Sequence, residues 1–331
     1  MYLSTLVKPK NWIKLLKNPK KGFEIIYKII SDYPRIQNFV QIKSKIIRNI
    51  IFNFYRRLVQ KNNNLKSYFI ESSKSNNNKY FDKDDFEKNI HKIFNSLADN
   101  GIVVIENILD KKEKNKINEY FDELHINKIS TEWINDKIID ASGIKYKDSK
   151  QVQIKCLCKE LKYMPQLDNI IKIITKNIFG KNVDTFAEFY LHNSLVDGEK
   201  PGEYEDTFFH SDRYMPCLKI FYSPNSITEI DGPFGFIKGS HKLNNKLMKE
   251  FFMNTNSSII KNTEISKDLS SNEVKAICNE NSLVIAFTNG LHKRNIFLKK
   301  NVFRKTVFFQ FTKKFNKLSL LNFRKYNNRL N

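Results

Sequence analysis

From residue 184 to residue 311 the chain is cut into short aromatic or β-branched runs, each closed by a cluster of Gly, Pro, Asn or Asp. The runs are Asp184 to His192, Tyr204 to Asp212, Cys217 to Ser223, Gly235 to Lys238, Leu283 to Phe287 and Val302 to Phe311. Segments this short leave little room for an amphipathic helix, and β-branched and aromatic side chains pack well on a pleated surface. The C-terminal half is therefore expected to be a β-rich barrel or sandwich. The polar stretch Asn254 to Ser271 reads as an insertion between strands, and no internal repeat is visible.

Ahead of this region the pattern is mixed. DKDDFEKNIHKIFNSLADNG reads as one acid-started amphipathic helix stopped at Asn100-Gly101. IVVIE, from Ile102 to Glu106, reads as a strand, and Asp110 begins a polar helix that runs to about Leu124. Ile126 to Lys150 is loop-like, and Gln166 to Phe179 returns to helical periodicity before Gly180. Between Asn11 and Gln60 apolar residues recur at helical spacing among lysines, predicting two or three basic amphipathic helices. Lys61 to Lys79 is rich in Asn and Ser and reads as a linker. Two units are expected: residues 1–75, a basic helical N-terminal extension with its linker, and residues 76–331, the β-rich domain.

At 331 residues, 40% hydrophobic and 13% aromatic, the chain is too long and too apolar to be a disordered protein or a mini-scaffold. Cys156, Cys158, Cys217 and Cys278 form no C-x-x-C pair, so neither disulfides nor a cysteine zinc site are called for. No secretory leader and no run of about 18 apolar residues is present, which places the expected location in a reducing cytoplasm. The net charge of +22 is uneven: Met1 to Lys66 holds fifteen Lys and Arg against two acids, leaving 42 against 33 elsewhere. Three readings of this basic head stay open. It is a helical cap on the main domain, a peripheral contact with an anionic membrane through residues 1–66, or the imprint of an AT-rich genome on codon choice. A nucleic-acid partner is not favoured, because no helix-turn-helix, zinc or RNA-recognition signature accompanies the charge. Oligomeric state is not legible.

The chemistry concentrates near two histidines. His210 and Asp212 stand two apart in EDTFFHSDRY at the end of an apparent strand, where i and i+2 side chains share a face and can grip one ion. Two imidazoles and one carboxylate on one face of an octahedron leave positions open on Fe(II) for a co-substrate and oxygen. The second imidazole must come from a distant strand, and His292 stands 82 residues on, after SLVIAF and the turn TNG. Alone, H-x-D arises readily by chance. Arg304, twelve residues past His292 amid the apolar strand NVFRKTVFFQF, adds weight, because a buried guanidinium requires an anion. That anion is either a dicarboxylate such as 2-oxoglutarate or an internal Asp or Glu.

The order of these motifs resembles the phytanoyl-CoA dioxygenase-like family of Fe(II)/2-oxoglutarate-dependent oxygenases. NGIVVIENILDKKEKNKINEYFDEL is similar to that family's opening strand and helix, FHSD to its proximal metal motif, and DGPFGFIKGSHK to its Gly-Pro to Gly-Ser-His-Lys stretch. LVIAFTNGLHKRNIF is similar to its distal-histidine segment, and FRKTVFFQF to the strand carrying its 2-oxoglutarate arginine. The chain departs at Lys293-Arg294, where the family often has Gly and a small hydroxyl residue, and at Lys238, where Pro is common.

The resemblance implies an α+β protein with a double-stranded β-helix (jelly-roll, cupin-like) core, flanking helices and the basic extension. It implies Fe(II) held by His210, Asp212 and His292, with O2 and 2-oxoglutarate as co-substrates and Arg304 on the distal carboxylate. Lys219 and Thr288 are further expected co-substrate residues, and Thr288 and Asn289 are candidates to orient the distal histidine. Because Asp212 is a carboxylate, not the small residue of related halogenases, hydroxylation of a small-molecule or lipid-like substrate with release of succinate and CO2 is expected. The alternative is an inactive cupin-like barrel that binds a ligand or membrane through its basic head. His241 is expected to be structural, and Phe221 to pack the barrel.

Overall fold

The computed structural model describes residues 42–69, 79–128, 149–155, 164–180, 183–194, 205–213, 216–254, 269, 271–299 and 302–313. The elements in chain order are α1 (Lys45–Lys61), α2 (Asn63–Phe69), β1 (Tyr80–Asp82), α3 (Lys83–Lys88), α4 (Ile90–Asn100) and β2 (Ile102–Glu106). They continue with α5 (Lys111–Lys128), β3 (Ser149–Lys155), α6 (Pro165–Phe179), β4 (Val183–Ser194), a 3-10 turn (Glu205–Thr207) and β5 (Cys217–Ser223). The last are β6 (Phe234–Ile237), α7 (Lys246–Asn254), β7 (Glu273–Lys275), β8 (Ser282–Phe287), β9 (His292–Arg294) and β10 (Val302–Lys313).

The strands form two sheets, one of order β1-β2-β8-β5-β10-β4-β3 and a smaller one of order β7-β6-β9. Among the described residues only β1 and β2 pair in parallel; the other pairings are antiparallel. Period-2 alternation gives the large sheet two different faces. Val103, Ile105, Leu283, Ile285, Leu218, Ile220, Tyr222, Val307, Phe309 and Phe311 join the helices in the main apolar cluster. Ile102, Val104, Val284 and Ala286 point the other way and pack with Phe221, Phe234, Phe236 and Val274 in a second cluster, toward the small sheet. Helices, large sheet and small sheet are thus three layers around two cores, an α+β arrangement.

The structure revises several sequence expectations. The acid-started helix is two, α3 and α4, parted at Asn89, whose φ of −130° and ψ of 30° are not helical. Glu205 to Asp212 is a 3-10 turn followed by an isolated bridge at His210, not a regular strand. Ser149 to Lys155 is an edge strand that begins at the last two residues of the stretch read as loop and continues through residues given no assignment. Inside the Asn/Ser-rich linker, α2 is a helix with Leu65, Tyr68 and Phe69 buried. Tyr68 and Phe69 rest on Phe287 of β8, with centroids at 5.1 and 5.8 Å, so α2 is part of the main core.

The boundary near residue 75 and the basic segment 1–41 lie outside the described residues. Within α1, Ile51, Phe52 and Val59 are buried while Ile46 and Ile50 are exposed. Among the described residues no helix is long and apolar enough to cross a membrane.

Candidate metal centre

His210, Asp212 and His292 each offer a ligand atom, and these atoms lie within 4.8 Å of one another. The backbone brings the two histidines together first. His210 N donates to His292 O and His292 N to His210 O, both at 2.9 Å, so the residues form one antiparallel bridge. On its other side His292 pairs with Phe236 of β6. Asp212 sits in a bend, not on a strand face, and its N–H donates to Thr288 O at 3.0 Å. The i, i+2 spacing brings both side chains to one point, but through this long-range bond instead of strand alternation.

Each imidazole is oriented by its own neighbourhood. His210 Nδ1 lies 2.8 Å from Phe208 O, and His292 Nδ1 lies 3.0 Å from Gly290 O. A carbonyl only accepts, so Nδ1–H donates in both rings and each Nε2 keeps its lone pair for an ion. His210 Nε2 is 3.9 Å from Asp212 Oδ1, and His292 Nε2 is 3.6 Å from Asp212 Oδ2. Ligand atoms about 2.0–2.2 Å from one ion stand about 3 Å apart at right angles, so small side-chain shifts would close the triad on a metal. Among the described residues His292 Nε2 is buried without a hydrogen-bond partner. A polar atom left in this state costs about 1–3 kcal/mol, and a metal ion would satisfy it. The donor set therefore fits Fe(II) or a similar divalent ion.

Burial, then the adjacent His292, pulls His210 down to about 4, so its ring is neutral at pH 7. Burial works against the charge of Asp212, but the Lys219 ammonium, followed by His292, outweighs it and holds the carboxyl well below the usual carboxylate range. Lys219 Nζ lies 2.6 Å from Asp212 Oδ2. The sequence left Lys219 between a contact to a co-substrate carboxylate and a solvent-facing strand position; its side chain is turned inward and meets the carboxylate of Asp212. Thr288 is fully buried, and its carbonyl positions Asp212 while its N–H donates to Cys217 O at 2.8 Å.

The turn before His292 is fixed by Ser211 and Ser240, which the sequence did not single out as site residues, together with Asn289, whose turn-forming role was one of its two expected jobs. The Ser211 hydroxyl lies 3.0 Å from both Asn289 O and Arg213 O, and Ser240 Oγ accepts from Leu291 N at 2.8 Å. Asn289 Nδ2 donates to His241 O at 2.9 Å, so Asn289 anchors the turn without touching the ligand. Only the Gly-Ser-His likeness hinted at Ser240. Asp206 and Arg294 form a two-pronged ion pair, with Nε–Oδ2 at 2.9 Å and Nη2–Oδ1 at 3.2 Å. That pair clamps the turn preceding His210 to the residue two beyond His292.

Arg304 shares the parity of Phe308 on β10, the face turned toward the small sheet. Its Nη1 donates to Gly232 O at 2.5 Å. Its Nε is buried without a partner, and among the described residues no carboxylate pairs with it. Burial, and then the nearby Arg294, draws its pKa down to about 10. Among the described residues Arg304 thus forms no direct ion pair, although Asp206 and Asp231 lie near enough to favour its charge, and its Nε is left without a hydrogen-bond partner. Two residues beyond Gly232, Phe234 stacks on His292 at 5.4 Å and faces Phe221 at 5.1 Å, while Phe221 meets Phe308 at 5.4 Å. An apolar aromatic wall thus runs beside the triad along the arginine's strand.

No family model matches the chain. No curated protein matches it either. Among solved structures it is similar to HygX from Streptomyces hygroscopicus, crystallised with nickel and 2-oxoglutarate, at 12% identity over 66% of this chain and 85% of that one, with a TM-score of 0.44. The epimerase SnoN, in complex with Fe3+, alpha ketoglutarate and nogalamycin RO, is similar at 12% identity over 66% and 80%, TM-score 0.45. EctD from S. alaskensis, with 2-oxoglutarate and 5-hydroxyectoine, is similar at 14% identity over 66% and 73%, TM-score 0.43.

Proposed function

We propose that this chain is a non-haem Fe(II)- and 2-oxoglutarate-dependent dioxygenase of hydroxylase type. In this reading its two sheets are the double-stranded β-helix (jelly-roll) core of a phytanoyl-CoA dioxygenase-like protein. The substrate is a small or lipid-like molecule, and succinate and CO2 are released. The observation that carries the reading is the joint presence of the His210, Asp212 and His292 cluster and a buried Arg304 without a carboxylate partner.

His210 Nε2, His292 Nε2 and one oxygen of Asp212 would hold the ion, a donor set that leaves a divalent iron able to take further ligands. Arg304 receives the distal carboxylate of 2-oxoglutarate through parallel hydrogen bonds from its open edge. Phe221, Phe234 and Phe308 keep that flank dry, which strengthens each charged contact made there. The bound ion and co-substrate supply the oxidising chemistry, and the chain supplies position and charge. Because Asp212 would offer the ion a carboxylate where related halogenases have a small residue, the reading favours hydroxylation over halogenation.

Anaerobic titration of the protein with Fe(II) and 2-oxoglutarate should give a weak visible charge-transfer band, followed by succinate release in air. Absence of both would leave the inactive-barrel alternative standing. His292→Ala and Asp212→Ala should each abolish the band. Arg304→Ala should raise the 2-oxoglutarate requirement at least tenfold while Mn2+ binding is kept, consistent with the loss of a charge-assisted pair. An Arg304→Ala protein with unchanged 2-oxoglutarate affinity would remove the arginine from the proposal.

A further inference from the structure

Lys219 projects from the face of β5 that looks toward the small sheet, opposite Ala286 of β8 and Gln310 of β10. A lysine at a solvent face extends its ammonium into water. Here the side chain is only 17% exposed, its Nζ stands 5.5 Å from the centroid of the Phe308 ring, and the ammonium ends 2.6 Å from Asp212 Oδ2. That same oxygen lies 3.6 Å from His292 Nε2. One carboxylate oxygen is therefore shared between a fixed internal cation and the atoms that would hold the metal.

We propose that Lys219 is a positioning residue that competes with the metal ion for Asp212 and thereby sets the affinity of the centre. The proposal rests on the metal-binding reading above. Imidazoles bind a metal in their neutral form, so the only negative charge the triad offers an ion is that of Asp212, and the ammonium offsets it. A divalent ion taking Asp212 must displace Lys219 or share the carboxylate with it, and two cations on one carboxylate repel across a partly desolvated site. The ammonium holds the carboxylate in place between the imidazoles, and it weakens the grip on the ion in doing so.

The experiment is a Mn2+ titration of chelator-treated full-length protein, reading free Mn2+ by electron paramagnetic resonance. Lys219→Met keeps the apolar stem on Phe308 and removes the charge; it should bind Mn2+ about tenfold tighter than the parent or better. Lys219→Arg keeps the charge and should bind like the parent, within about threefold. A purely structural lysine would give the opposite sign, with weaker binding in Lys219→Met. Binding that is equal or weaker in Lys219→Met overturns the proposal. In the unsubstituted protein, reductive methylation followed by mass spectrometry should show Lys219 becoming more reactive when Mn2+ is added. Unchanged reactivity also overturns it, and this reading does not depend on the variants folding. If the parent protein binds no Mn2+, the metal-centre reading falls as well. If the parent binds and His292→Ala does not, while Lys219→Met is unshifted, only the role of Lys219 falls.

Discussion

Burial acts in opposite ways on His292 and His241. His292 keeps an unpaired Nε2 pointing at a carboxylate, whereas His241 donates Nε2–H to Ala98 O at 2.9 Å and lies flat on Phe287 at 5.5 Å. Burial holds His241 down at about 3, against about 6.5 for a free imidazole. The unfolded chain therefore takes up a proton below pH 6.5 that the folded chain refuses, so stability present above that pH is lost as pH falls toward 3. Between pH 6.5 and 5, before most carboxylates titrate, His241 should make stability fall with pH, by about 1 kcal/mol per pH unit toward the acid end. Urea unfolding at both ends of that interval should show a smaller slope in His241→Gln than in the parent, the remainder coming from His210, which burial also holds down. Beside this ring, Gly101 has φ of +82°, and a Cβ there would stand 2.4 Å from His241 Nδ1 and 2.7 Å from the Phe236 ring. Gly101→Ala should cost about 2–4 kcal/mol, measured as a shifted urea midpoint, because strain and overpacking coincide. The spacing of His210 and Asp212 was visible in the chain, and so was the need for an anion at Arg304. The partners of Ser211, Ser240 and Lys219 were not, because a hydroxyl or an ammonium finds its acceptor through tertiary contacts that no local pattern encodes.

At the level of elements, the helices announced their ends unequally. The stop of α4 was written in Asn100-Gly101 and confirmed by a left-handed Gly101. The start of α6 is marked by Pro165 at its first position and Asp168 in its first turn, but the N-cap is Met164, which offers no side-chain acceptor. Its cap comes from another helix, since Glu113 of α5 accepts from Leu167 N at 2.8 Å and Gln166 N at 3.0 Å. Glu113→Ala would strand two buried amides and should lower stability by about 2 kcal/mol, with helix content otherwise retained by far-UV circular dichroism. The short α2 went unread because seven residues hold barely two turns, too few for periodicity to stand out from an Asn-rich background. Its helical state comes from packing Tyr68 and Phe69 on β8. The run ending in His210 erred the other way: its aromatic composition looked like a strand, but those side chains serve a turn around the centre.

For the whole molecule, the short aromatic and β-branched runs between clusters of Gly, Pro, Asn and Asp made the β-rich half legible, and the amphipathic segments made the helices so. What could not be seen was how far the N-terminal helices reach into the main core. Leu65 and Phe69 are 0% and 1% exposed there, beside Phe52 and Val59 at 2% and 0%. Each fully buried side chain of this kind contributes about 1.5–3 kcal/mol, and a domain's net stability is about 5–15 kcal/mol. A chain beginning at Lys79 should therefore be insoluble or unfolded on expression, as judged by size-exclusion chromatography and circular dichroism. A well-folded shortened chain would show that residues 42–69 are dispensable to the core.

The reciprocal backbone bridge between His210 and His292 joins points 82 residues apart in the chain. That rung is made by backbone alone, so it holds the two candidate ligands side by side whether or not an ion is bound. Hydrogen–deuterium exchange of the two amides should therefore report how firmly the pocket is held before any ion arrives. Any lesion that frays this single rung, however distant from the ligands, would loosen the pocket before it unfolded the protein.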